Sequence, residues 1–345
     1  FSRQNVERTS QALQKAGQEV ASGRKADIYG DLGSRSASVM KLRIREADTQ
    51  TYMQSNNLIA NKLQVTINAM DKLRDTVQAV IETTFFDTSQ AGAGASLLKT
   101  QARAALDELT GVMNSNFNGE HIFAGLASQT SPLTRWQDIS PTTGLSPEDV
   151  ITGIVGSGPT SVADVTSMTA ELDLIFASAD TGTPARNFEE TFFNGTKEFG
   201  PGGVENKRIT AWVAAGQELE YGVQANDEAI RNTYKGLAML ATADTSAMDA
   251  ATYSAWMAEV SDTLAKGQEG LLQISTRTGF NQEVVEKAQV QLTDLSLVQR
   301  NMITDYENVD PYEAITRMTN LERQLEATYQ VTSRLSGLSI LGFLR

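Results

Sequence analysis

No cysteine occurs in the 345-residue chain. Disulfides, thiolate metal sites and cysteine nucleophiles are therefore excluded. A chain of this kind can also cross compartments without becoming cross-linked. Histidine is nearly as scarce: His121 stands alone, without the histidine or cysteine companion that a zinc site needs. Beside a turn, it is expected to be an exposed or hydrogen-bonded polar residue. No window reaches the ~18 unbroken apolar residues of a membrane span, so no membrane insertion is expected. Basic residues are outnumbered, and the formal charge of −13 argues against binding to nucleic acid or to an anionic membrane. Nucleophile elbows, phosphate-binding glycine loops and calcium-loop spacings are missing as well. Glu189-Glu190 reads as solvated loop charge, so no enzyme and no cofactor are expected. Phe1–Gln11 is polar and lacks the apolar core of an ordinary secretory signal.

Proline is also sparse, and its placement organises the chain. Six of the seven prolines (Pro132, Pro141, Pro147, Pro159, Pro184 and Pro201) fall in one stretch. Almost everything on either side has helical periodicity. The first helix is expected over Asn5–Ser22, with Val6, Leu13 and Val20 spaced seven apart on one narrow stripe. Gly23 should act as its C-cap. Ser34 is a candidate cap for a helix that continues without proline or glycine to Thr84. Its seam, Ile59, Leu63, Thr66, Met70, Leu73, Val77 and Val80, steps by three and four. A turn at Thr88–Gly94 leads to a third helix over Ala95–Met113.

Asn118-Gly119 is a strong hairpin turn, because both residues tolerate positive φ, and Ile122-Phe123 is expected to follow as a short strand. From Leu126 to Val223, short strands at Gly153–Val155, Arg208–Val213 and Gly216–Val223 and one helix near Val162–Ser178 read as an α+β insert. Its aromatics, with Trp136, Trp212, Trp256, Phe192 and Phe193, are expected to fill a small core. Helix resumes at Asn226-Asp227 and runs to Leu240, then again from Ser246 to Ser275. Thr278-Gly279 is expected to break it, with Asn281 capping a helix to Tyr306. Asp310-Pro311 then starts the last helix as N-cap and first helical residue. Its seam is Ala314, Met318, Leu321, Leu325, Thr328, Thr332 and Leu335, and the chain closes on Leu338, Ile340, Leu341, Phe343 and Leu344.

Four segments carry a family resemblance. Ser22-Gly23-Arg24-Lys25 resembles the Ser-Gly-basic turn that ends the first flagellin helix. Asn116-Phe117-Asn118-Gly119 is similar to the hairpin after the second long helix pair, and its continuation Ile122-Phe123-Ala124-Gly125 resembles the junction proteins more closely than flagellin proper. Thr278-Gly279-Phe280-Asn281-Gln282 resembles the turn before the long C-terminal helix. Leu325-Glu326-Ala327-Thr328-Tyr329 with Arg334, Leu338-Ser339-Ile340 and Phe343-Leu344 resembles the closing helix of the junction proteins. The layout is thus similar to the flagellin superfamily, and within it to the hook-associated proteins that join hook to filament. Tyr29-Gly30-Asp31-Leu32-Gly33 stands where flagellins usually carry an acidic pair.

The resemblance implies a mainly α fold, an elongated antiparallel long-helix bundle with paired terminal helices, a β-hairpin and an α+β insert. Three parts are expected: 1–33 with 308–345, 34–125 with 224–307, and the insert 126–223. Val6, Leu13, Val20, Leu321, Leu325, Leu335, Leu338, Leu341 and Phe343 are expected to form a subunit interface. Gly23, Asn118, Gly119, Gly125, Gly279, Asp310 and Pro311 are expected to shape turns. The implied partners are lateral copies in a ring, an adjoining hook-associated protein, flagellin and an export chaperone on the C-terminal helix. The implied place is the extracellular flagellum, reached through the flagellar type III apparatus. Two other readings remain open: filament flagellin, and a flagellin-like surface protein that binds ligands through its insert.

Overall fold

The computed structural model describes residues 2–86 and 94–343, with side chains for 4–83 and 94–334 among them. The chain is mainly helical. In order it forms α1 (Ser2–Ser22), α2 (Ile28–Leu32), α3 (Ser36–Phe86), α4 (Ala95–Met113), β1 (Asn116–Phe117), β2 (Glu120–His121), α5 (Pro147–Val155) and α6 (Val162–Phe176). There follow β3 (Thr210–Ala214), β4 (Gln217–Glu220), α7 (Glu228–Thr242), α8 (Ala250–Glu307) and α9 (Pro311–Phe343). β1–β2 and β3–β4 are separate antiparallel pairs. No described helix is long and apolar enough to cross a membrane.

α3 is 51 residues long and α8 is 58; α3 contains neither proline nor glycine, and α8 has no proline. The expected break at Thr278-Gly279 is therefore corrected: α8 runs through it, and Asn281 caps nothing. The start of α3 also differs from expectation. Asp27 caps α2 through Gly30 N–H, a 3₁₀ turn spans Gly33–Arg35, and α3 begins at Ser36, not after a Ser34 cap. Gly153–Val155 is helical, the end of α5. Its first turn carries a complete capping box between Ser146 and Asp149, with Pro147 inside it. The second strand of the first hairpin is Glu120–His121, so Ile122-Phe123 is not a strand. Asn118 (φ 53°) and Gly119 (φ 88°) form the turn between the strands. The expected turn at Thr88–Gly94 lies, apart from Gly94, outside the described residues.

The chain divides into two compact units: Phe1–Met53 with Val290–Arg345, and Gln54–Gln289. In the terminal unit α1 packs along α9, and the start of α3 pairs with the end of α8. In the middle unit α3, α4, α7 and α8 share one core with the insert. The insert contributes α5, α6 and a short π-helix, Phe188–Phe192, in which Glu189 is buried and hydrogen-bonded by Asn226 rather than solvated as expected. Its Phe188 and Phe192 rings stack 5.3 Å apart, and Phe192 meets Tyr234 of α7 edge-on at 5.6 Å. Trp136 and Trp256 are buried as expected of core aromatics, but Trp212 is 53% exposed on β3.

Candidate functional site

Two helix breaks far apart in sequence meet in the terminal unit. Gly23 ends α1 with φ 69°, and its N–H donates to Glu19 O at 2.8 Å. The chain then runs antiparallel to the segment between α8 and α9. Lys25 N–H donates to Glu307 O at 2.8 Å, Val309 N–H donates to Gly23 O at 3.1 Å, and Arg24 bridges Asn308 between them. Asp310 starts α9 by accepting Tyr312 N–H at 2.8 Å, with Pro311 at the first helical position.

Buried carboxylates brace this joint. Glu19, 5% exposed, accepts Ala26 N–H at 3.3 Å on one oxygen and Arg317 Nη1 at 3.2 Å on the other. Glu307, 2% exposed, accepts Arg43 Nε at 2.8 Å. Asp27 is held below the usual carboxylate range, first by Gly30 N–H and then by the nearby Lys15 ammonium. Beyond the joint, α3 and α8 are paired through polar groups. The Thr49 hydroxyl lies 3.1 Å from Gln299 Oε1, Gln50 Nε2 donates to Ser296 Oγ at 2.8 Å, and Arg300 Nε donates to Glu46 at 2.8 Å.

The expected interface residues sit along the α1–α9 pair. Val6, Leu13 and Val20 are half-buried, as are Met318, Leu321 and Leu325. Only Ala16 and Ala314 are fully buried apolar side chains of α1 and the described part of α9. The side chains of Leu335, Leu338, Leu341 and Phe343 lie outside the described residues. Of the expected turn residues, Gly23, Asn118, Gly119 and Gly125 all have positive φ. Gly125 also has no room for a side chain, since a Cβ would come within 2.9 Å of Thr196 and Gln224. Gly279 is corrected, because it lies inside α8 with open space around it.

In the middle unit the β3–β4 hairpin is clasped to two long helices. Asn56 of α3 donates through Nδ2 to Val213 O at 2.9 Å, and Asn281 of α8 donates to Glu220 O at 3.0 Å. Val213, at the β-bulge, is fully buried with Ile59, Leu63, Val285 and Ala288. On the other hairpin, Lys62 Nζ reaches Glu120 at 2.8 Å and holds that carboxyl below its ordinary range. His121 Nδ1 lies 3.0 Å from Asn114 O, a satisfied polar residue.

Sequence reasoning passes over Glu19, Asn56, Asn281 and Glu307 as parts of these joints. A signal is present. Asn56 extends the Ile59–Leu63 seam backwards by one step, and Asn281 does the same for Val285–Ala288. A polar side chain on an apolar stripe has to be hydrogen-bonded by something. What it binds lies far off in sequence and is not legible locally.

No curated protein matches the sequence. Among solved structures that match, one of a candidate flagellar hook-associated protein from Vibrio parahaemolyticus has a TM-score of 0.52 at 10% identity. It covers 80% of this chain and 99% of that one, and at such identity the likeness is one of fold. Residues 2–128 match the bacterial flagellin N-terminal helical region, and residues 267–344 match the bacterial flagellin C-terminal helical region. With both helical regions of that family present, in order and over more than half its length, the chain belongs to the flagellin family, whose members are non-enzymatic structural proteins that self-assemble into flagellar polymers.

Proposed function

We propose that this flagellin-family chain is a hook-associated subunit that forms the junction between hook and filament. The observation that carries the assembly part is the state of the α1–α9 pair. Val6, Leu13, Val20, Leu321 and Leu325 remain half-buried in the single chain, and Ile315, Tyr329 and Val331 are about half exposed. Two helices cannot bury such stripes against each other alone, so neighbouring copies complete the burial. The fold of the Vibrio parahaemolyticus protein and the likeness of Ile122–Gly125 to junction proteins favour the hook end over the filament.

In this reading the terminal stripes meet lateral copies in a ring, with an adjoining hook-associated protein on one side and flagellin on the other. Export runs through the flagellar type III apparatus, with a chaperone on the C-terminal helix before assembly. Electron microscopy of the purified protein, incubated with isolated hooks and separately with filament seeds, tests it. Short caps on hooks without elongation are expected. Long helical filaments would move the chain to filament flagellin. Soluble folded protein that gives neither product would move attention to ligand binding by the insert.

A further inference from the structure

α8 passes through a stretch that should not be helical. Ser275-Thr276-Arg277-Thr278-Gly279-Phe280-Asn281 contains one good helix former, Arg277, and the poorest after proline, Gly279. The hydroxyls of Thr276 and Thr278 donate back to Leu272 O at 2.9 Å and Ile274 O at 2.7 Å, a pattern that loosens and bends helices. Asn281 is a residue type that prefers to cap a new helix. Local chemistry therefore favours a break. The α-helix continues regardless, so something outside it stabilises the continuous form.

The β3–β4 hairpin lies where that support is needed. Asn281 does not cap; its Nδ2 is engaged by Glu220 O at 3.0 Å. Val213 packs with Val285 and Ala288, just beyond the weak stretch, and with Ile59 and Leu63 of α3. Asn56 Nδ2 secures the other strand at Val213 O, 2.9 Å away. The attachment is slight, however. It rests on a small apolar cluster separate from the main core, on a two-stranded hairpin that is marginal alone, and on Asn56, whose Oδ1 is buried without a hydrogen-bond partner.

We infer that the β3–β4 hairpin is a splint, and that α8 is a two-state element at residues 276–282: continuous while the hairpin is docked, broken when it lifts. Lifting frees Asn281 to cap the helix that follows, and undoes the bonds at Glu220 and Val213 together. Coupling of this kind is reciprocal: whatever strengthens α8 there must also hold the hairpin down. The inference concerns the middle unit and does not depend on which end of the flagellum the chain occupies.

Hydrogen exchange on the full chain tests it from both directions. Gly279→Ala adds a methyl group in open space at a helical position and leaves the hairpin sequence untouched. It should slow exchange about threefold at 276–282 and, by coupling, at 210–220 as well. Val213→Asp buries a charge under the hairpin and leaves the sequence of α8, including residues 276–282, unchanged. It should speed exchange at least tenfold at 276–282, with 250–265 unchanged, and adding Gly279→Ala should reverse part of that effect. If Gly279→Ala slows exchange in α8 but not in the hairpin, the splint is refuted, even should the Val213 variant fail to fold. It is refuted equally if Val213→Asp frees the hairpin while 276–282 stays protected.

Discussion

The terminal and middle units are built from the same two long helices, yet they bury different things. In the middle unit α3 presents Met70, Leu73, Val77 and Val80, and α8 presents Trp256, Val260, Leu264 and Leu271, all closed into one apolar core. In the terminal unit the same helices present Thr49, Ser296, Gln299 and Glu307 at their buried positions, with Val39 and Leu292 as the apolar exceptions. Apolar burial supplies stability without a partner and scales with area removed from water. Polar seams add little net stability but demand correct pairing. The middle unit thus carries its own stability, whereas the terminal unit specifies an arrangement and leaves its apolar stripes half-covered.

The contrast can be broken most forcefully at Trp256, which is fully buried. Trp256→Ala should destabilise the middle unit by about 3–5 kcal/mol, measured by chemical denaturation. Next comes Gly267→Ala. A Cβ there would lie 2.9 Å from Thr233 N, so α7 has to shift away from α8, at about 1–3 kcal/mol. In the terminal unit, Glu307→Gln weakens the bond to the half-exposed Arg43. The expected loss is about 1 kcal/mol, seen as faster exchange of the Lys25 and Val309 amides with no change around Tyr234.

Acid should act on the middle unit through small contributions. Asp149, Asp180 and Asp249 are held below their ordinary range, foremost by backbone N–H groups of Ser146, Thr183 and Thr252. Because their folded values are depressed, the stability they add is complete above the unfolded value, near pH 4. It is lost as pH falls through the folded values. Through these groups the melting temperature should hold from neutral pH to about pH 4 and drop below it, and Asp149→Asn should flatten that dependence. Smallest in the isolated chain is Leu13→Ala, at about 1 kcal/mol or less because the side chain is only half-buried. On the proposed junction role, the same substitution should abolish capping of hooks, which would set the terminal unit most sharply apart from the middle one.

Local chemistry makes part of this legible. Asn118-Gly119 and Asp310-Pro311 shape the chain as their types require, since positive φ, a fixed φ and a short side-chain cap depend on few neighbours. The alternating seam of α3 is likewise written in the spacing. Gly153–Val155 reads as strand only while its β-branched residues outweigh Ser146-Pro147-Glu148-Asp149, a complete helix start seven residues earlier. Thr278-Gly279 departs from its reading for the opposite reason: the local preference is real, and a hairpin some sixty residues away in sequence overrides it. At the joint, nothing near Gly23 announces Val309, because the ladder between them forms only when distant segments meet.

That joint also sets an order in time. Arg317 reaches Glu19 across 298 residues of chain. At a synthesis rate of ~5–20 residues per second, α1 waits on the order of 15–60 s before its partner helix exists. Throughout that interval its main partner, α9, is missing. A helix whose partner is made that much later is among the last to find its place.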